Sequence, residues 1–128
     1  MSYICDYVDM LEHQPLVGTG QCVALVQAYA KNPDTGALAP HTAEWTQGAT
    51  VMSCGPDEIA HGTAIATFVN GVYPNQDHGN HAALYLSHDG NGIMVMDQWS
   101  TKADVSSRLI RPTGEGGSND ALAFSVIE

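Results

Sequence analysis

Two apolar runs, residues 81–87 (His-Ala-Ala-Leu-Tyr-Leu-Ser) and residues 93–99 (Ile-Met-Val-Met-Asp-Gln-Trp), flank Asp89-Gly90-Asn91-Gly92. Glycine and asparagine tolerate the positive-φ positions of a tight turn, and both runs are rich in strand-forming side chains. An antiparallel hairpin is therefore the most narrowly specified piece of this chain. Neither run alternates cleanly between polar and apolar residues, which predicts a strand pair covered on both faces. The same character extends outward. Residues 63–69 form another β-rich run ending in Asn70-Gly71, and residues 106–110 and 122–127 supply two more strands around a flexible loop at residues 113–119.

The first third has a different period. Tyr3, Tyr7, Val8 and Leu11 share one helical face, with Ser2 as a cap. Cys22, Leu25, Val26 and Tyr29 recur at i, i+3, i+4 and i+7, which predicts a second helix. Thr19 or Gly20 would cap it, Lys31 would fall in its last turn, and Asn32-Pro33 would stop it. Thr42 can cap a single turn containing Trp45, while residues 49–61 suggest no element. Helices followed by hairpin-linked strands predict an α+β fold, with N-terminal helices packed on an antiparallel sheet of about five strands. At 128 residues without an internal repeat, residues 1–128 are expected to form one domain with its own core.

Charge narrows the partners. The formal net charge is −10, and Lys31, Lys102, Arg108 and Arg111 are the basic residues. No basic patch can be built from that set, so neither nucleic acid nor an anionic membrane surface is expected as a partner. No apolar run approaches the length of a membrane span. Met-Ser-Tyr-Ile-Cys-Asp-Tyr at the start lacks the charged-then-apolar pattern of a secretory signal, which predicts synthesis in the cytoplasm without a cleaved leader. Cys5, Cys22 and Cys54 are an odd count without metal-type spacing. A Cys5–Cys54 disulfide would leave Cys22 free, although a reducing cytoplasm disfavours it.

Cys22 carries the chemistry. In the first turn of a helix, a thiol feels unpaired N–H groups and the positive end of the dipole, and both favour thiolate. On the helix alone, Cys22 reads first as a small buried apolar residue. A nucleophilic thiol needs a base, and the base needs a group that holds its tautomer. Of six histidines, His81 opens a strand beside a glycine-containing loop, where a ring can project into a cleft. His13, His41, His61 and His88 fall in apparent turns, where a solvated ring is expected. A turn at the Asp89 end of residues 89–91 would set His81 opposite Asp97 or Gln98, with Cβ atoms about 5 Å apart. Asp97 is preferred because a carboxylate also stabilises imidazolium, and Gln98 is the alternative. The Cys22 backbone amide would serve as oxyanion donor, with Gln21 or Gln14 adding a side-chain amide. A competing metal site would use His78 and His81 with Asp77 or Cys54, but no helix fixes that spacing. No cofactor-binding motif is present, and none of the glycine runs matches a phosphate loop.

Three stretches together resemble the NlpC and CHAP papain-like amidases. They are Gly20-Gln21-Cys22 at a helix start, Gly62-Thr63-Ala64-Ile65-Ala66-Thr67-Phe68, and His81-Ala82-Ala83-Leu84-Tyr85-Leu86. Thr63 stands where that family usually has Asp. The Asp97-Gln98-Trp99 end resembles the amidase effectors of bacterial type VI secretion, in particular their third subfamily. The resemblance implies a papain-like fold and a cysteine amidase acting on peptidoglycan stem peptides. The bond would be the diaminopimelate–D-alanine cross-link in preference to D-glutamate–diaminopimelate. It also implies action in the periplasm of a target cell, a cognate immunity protein covering the cleft, and a monomer when free. The rival readings are a papain-like acyltransferase or protease with another substrate, and a non-catalytic binding module in which Cys22 is merely buried.

Overall fold

The computed structural model describes residues 2–128. Six antiparallel strands form one sheet: β1 (Gln47–Thr50), β2 (Ala64–Thr67), β3 (Ala82–Asp89), β4 (Gly92–Asp97), β5 (Ser106–Ile110) and β6 (Phe124–Ile127). Their spatial order is β1-β6-β2-β3-β4-β5, so β2 and β3 lie at the centre. One α-helix, α1 (Cys22–Tyr29), packs against β3. Successive residues of β3 serve two cores. Ala82 and Leu84 join Leu25, Val26 and Met96 beneath α1, whereas Ala83 and Tyr85 join Ile65, Val95 and Phe124 on the other face. Val51 and Ala121 close that second layer. Both faces are dry, which is why polar alternation is missing from the hairpin.

The N-terminal helix expected over residues 3–11 is reduced to one 3-10 turn, Val8–Leu11. Upstream, Tyr3, Ile4 and Cys5 run extended between two neighbours. Ile4 exchanges backbone hydrogen bonds with Lys31 at 2.7 and 3.0 Å, and Ala64 N–H donates to the Tyr3 carbonyl. Pairing with Lys31, Gly62 and Ala64 satisfies these backbone groups in an extended conformation, and tertiary context overrides their helical periodicity. Lys31 therefore lies beyond α1, which ends with Ala30 N–H donating to the Val26 carbonyl. At the other end the N-cap is Gln21, in an extended conformation, in place of Thr19 or Gly20. The turn at Thr42–Glu44 is capped by the ring of His41. β1 had no signal in its Gln-Gly-Ala-Thr sequence, and it is a strand because β6 pairs with it. The run at residues 122–127 begins as a 3-10 turn, Ala121–Ala123, capped by Asp120.

The hairpin register differs from the expected one. Asp89 pairs with Gly92, leaving Gly90 and Asn91 as the turn. A bulge between Tyr85 and Ser87 then shifts the pairing, and beyond it Tyr85 faces Val95 and Leu84 faces Met96. Continued toward the strand end, that register brings Ala83 level with Asp97. Asp97 is thus diagonal to His81, on the same face, and not directly opposite it.

Candidate active site

His81 is the residue just before β3, and β2 holds it in place. Its N–H donates to Thr67 Oγ1 at 3.0 Å, and its carbonyl accepts from Thr67 N–H at 3.0 Å. The side chain is almost fully buried, and Nε2 lies 2.7 Å from Asp97 Oδ2. Against a carboxylate Nε2 must carry the proton, which leaves Nδ1 for a second partner. Cys22 is close enough to His81 for each group to shift the other's titration.

The electrostatics favour an ion pair. Burial pushes the Cys22 thiol up, but the His81 hydrogen bond and charge, the Ala82 N–H and the Tyr73 hydroxyl together bring it below 9.0. Burial likewise disfavours the His81 imidazolium, yet Asp97 and Cys22 outweigh it and raise the ring above 6.5. Both shifts run in the direction of thiolate and imidazolium.

The loop preceding α1 is fixed by Gln98. Its Oε1 accepts from Val17 N–H at 2.9 Å, and its Nε2 donates to the carbonyls of Val17 and Gln21 at 3.0 and 2.8 Å. Gln98 therefore holds the loop that delivers Cys22 and does not bond the imidazole. Gly20, at φ +82°, makes the turn that this loop requires. A cleft of about 630 Å³ opens over Cys22 and His81, walled by Tyr73, Asn80 and Trp99.

A family model described as domesticated amidase effector 2 matches residues 1–127. The chain belongs to the domesticated amidase effector 2 family. The chain is 39% identical over 142 residues to a "Type VI secretion amidase effector 2 protein" of Salmonella typhi, with both sequences covered in full. It is also 39% identical over 101 residues to "Domesticated amidase effector 2" of Ixodes scapularis, covering 77% of this chain and 63% of that one. A solved structure titled "Type 6 secretion amidase effector 2 (Tae2)" superposes with a TM-score of 0.81 at 38% identity, covering 98% of this chain and 94% of that one. The papain-like α+β fold is shared with that structure. The matches fall on effector-2 proteins, not on the third subfamily that the Asp97-Gln98-Trp99 end suggested.

In this effector-2 family member, sequence reasoning missed the groups around Asp97. Lys102 Nζ donates to Asp97 Oδ1 at 2.7 Å, and Arg108 Nε donates to Oδ2 at 2.7 Å. Both cations also lie over the Trp99 ring, 4.7 and 5.0 Å from its centroid. Burial would raise the Asp97 carboxyl, but His81, Lys102 and Arg108 lower it to about 2. Tyr73 was missed as well. Its hydroxyl is 3.8 Å from Cys22 Sγ and accepts a 3.0 Å hydrogen bond from Asn80 Nδ2.

The remaining candidates fall elsewhere. Gln21 lines the cleft with an exposed side chain, while Gln14 bonds Val105 through its backbone carbonyl. His88 is buried within β3, contrary to expectation. Its Nε2 donates to the Cys54 carbonyl at 2.8 Å, which leaves Nδ1 to accept from the Tyr85 hydroxyl. His61 bonds the Leu86 carbonyl and Asp9. Cys5 and Cys54 are free thiols, so the disulfide considered from sequence is not formed, and Cys54 Sγ donates to the Thr50 carbonyl. Among the described residues no group of three or more His, Cys, Asp or Glu side chains converges to hold a metal ion. No helix there is long and apolar enough to cross a membrane.

Proposed function

We propose that this chain is a cysteine amidase of peptidoglycan, with Cys22 as nucleophile, His81 as base and then acid, and Asp97 as the residue that orients His81. The observation that carries the reading is the buried 2.7 Å pair between His81 Nε2 and Asp97, which leaves the other ring nitrogen for a thiol at a helix start. In the first step the Cys22 thiolate adds to the amide carbonyl, and the C–S bond forms as the C=O pair moves onto oxygen. The Cys22 N–H, which has no intrahelical acceptor at the first helical position, serves that oxyanion as a backbone donor. Collapse restores the carbonyl and breaks the C–N bond, and the departing amine takes its proton from His81. His81 then deprotonates water, which adds to the thioester and releases the carboxylic acid and the thiolate.

Relatives titled amidase effectors support an amide substrate and an effector role. The substrate class follows from the papain-like amidase motifs: peptidoglycan stem peptides, with the diaminopimelate–D-alanine cross-link favoured over D-glutamate–diaminopimelate. In this reading the protein is an antibacterial effector that acts in the periplasm of a target cell. A cognate immunity protein would inhibit it by occupying the cleft over Cys22.

The test is digestion of purified cell wall, with the released fragments separated by chromatography. Wild-type protein is expected to release peptide fragments whose termini identify the bond cut, and Cys22→Ala to release none while keeping its circular dichroism spectrum. Undiminished release by Cys22→Ala would reject the assignment. Cleavage of a protein substrate with the wall left intact would favour a protease.

A further inference from the structure

We infer that Tyr73 is a further catalytic residue, whose hydroxyl, held by Asn80, is the side-chain donor to the oxyanion; this rests on Cys22 being the nucleophile.

The position of Tyr73 is built from both sides. It follows a tight hairpin in which Val69 and Val72 exchange backbone hydrogen bonds at 2.9 and 3.1 Å. Its ring is buried and packs 5.0 Å from that of Trp45, which is itself tied to the Pro40 carbonyl through Nε1. This packing leaves the ring little freedom, so the hydroxyl stays beside the Cys22 sulfur at 3.8 Å.

Asn80 decides where the hydroxyl proton goes. Its Oδ1 accepts from Gln76 N–H at 2.6 Å, so the other end of the amide, Nδ2, is the one that donates to Tyr73. With a lone pair of the Tyr73 oxygen occupied by that donor, its own O–H is directed to the sulfur side. Burial, and then the negative charge on Cys22, hold Tyr73 well above the ordinary tyrosine range, so the proton stays on the oxygen. The side-chain amides of Gln21 and Gln14 are placed differently: Gln21 is an exposed cap residue, and Gln14 is exposed, with its backbone carbonyl bonded to Val105 N–H.

The donor has different acceptors before and after attack. When Cys22 is ionised, before attack, the acceptor is the thiolate. When the C–S bond forms, sulfur becomes a neutral thioether, a weak acceptor, and the charge appears on the former carbonyl oxygen. A hydroxyl already oriented toward the sulfur then transfers its hydrogen bond to that oxygen, alongside the Cys22 N–H. Binding that is stronger in the transition state than in the ground state is what raises kcat.

Two reagents separate this role from activation of the thiol. Iodoacetamide alkylates Cys22 by displacement of iodide, without an oxyanion. 4-Nitrophenyl acetate acylates it through a tetrahedral oxyanion and releases nitrophenolate. Rates at Cys22 are read by peptide mass mapping and compared at equal thiolate fraction, which the pH dependence of alkylation supplies. Tyr73→Phe is expected to slow acylation by roughly 10²-fold, the usual loss for one oxyanion donor, and to leave alkylation unchanged. Asn80→Ala keeps the hydroxyl but frees its rotation, and it is expected to slow acylation by a smaller factor with alkylation again unchanged. If Tyr73→Phe fails to fold by circular dichroism, Asn80→Ala decides alone. Equal slowing of both reactions, or slowing of neither, overturns the inference while Cys22 stands. Wild-type protein in which neither reagent labels Cys22 overturns the nucleophile assignment and this inference with it.

Discussion

Arg108 Nε donates to the same Asp97 carboxylate oxygen as His81 Nε2, each across 2.7 Å. Lys102 takes the other oxygen. Two of the four basic side chains in a chain of net charge −10 thus converge on one buried carboxylate. A buried charge is tolerable only when it is paired and hydrogen-bonded, and Asp97 is both. The cations also temper its pull on His81, because a carboxylate shared three ways stabilises imidazolium less than an unshared one would.

Removing one cation should therefore strengthen the remaining pair. In Lys102→Met, Asp97 acts on His81 with less of its charge neutralised, so the His81 pKa rises further above 6.5. The thiolate–imidazolium form is lost when His81 deprotonates, so the alkaline limb of kcat/KM is expected to move upward, on the order of one pH unit. A pH–rate profile for wild type and variant measures it. A limb that stays in place or moves down would show that the Lys102 charge does not reach the imidazole.

Asp97 also sets an acid dependence of stability. Its carboxyl is lowered from 3.8 to about 2 in the folded protein. The stabilisation is full above the unfolded value and is lost as pH falls through about 2, and it is worth roughly 2 kcal/mol. His81 works in the opposite sense. Its raised pKa adds stability that is full below the unfolded value near 6.5 and is lost as pH rises through the folded one. Urea midpoints across pH should therefore show Asp97→Asn well below wild type near neutrality, with the gap narrowing between about pH 4 and pH 2. A gap independent of pH would mean that the Asp97 charge contributes nothing to folding.

Cys22, His81 and Asp97 were legible because each sits at a place that local rules mark: a helix start, a strand start and a hairpin partner. Asp97 was nevertheless chosen on a register two residues out: the turn at Gly90-Asn91 alone sets it three out, and the bulge near Leu86 takes one of these back. A two-residue slip keeps the same face, so the partner survived the error. Arg108 and Lys102 were not legible, because the irregular stretch between β4 and β5 sets where they fall. Tyr73 and Asn80 lie in a loop whose path no periodicity describes. The lost helix at residues 3–11 and the unforeseen β1 share one cause: each segment takes its conformation from backbone partners distant in sequence.

The thiol itself offers a direct measurement. His81 is the main opponent of burial at Cys22, through both a hydrogen bond and charge. Alkylation of wild-type Cys22 is therefore expected to titrate below 9.0, whereas His81→Ala leaves burial dominant and moves the midpoint above 9.0. Iodoacetamide rates from pH 5 to pH 10, mapped to Cys22, would follow both curves, over a range of about that width around the free-thiol value. Coincident profiles would dissolve the proposed ion pair.

Gln98 tests whether the loop before α1 governs catalysis by placing Cys22. Its amide meets one N–H and two carbonyls, and it is fully buried. Gln98→Met fills similar volume but takes away the acceptor of Val17 N–H, at about 1–3 kcal/mol where water cannot reach it, while the Val17 and Gln21 carbonyls keep their bonds from Gly20 and Ala24 N–H. Gln98→Glu is worse, since an ionised carboxylate would face the carbonyl oxygens of Val17 and Gln21 and must take up a proton to remain buried. Both variants should melt at lower temperature, with Gln98→Glu recovering part of its loss as pH falls toward 5, about the range in which a buried Glu protonates. In folded Gln98→Met, kcat should fall more than KM rises, because a displaced thiol weakens attack more than peptide binding. Gln98→Met with lowered melting temperature but wild-type kcat would confine this residue to stability alone.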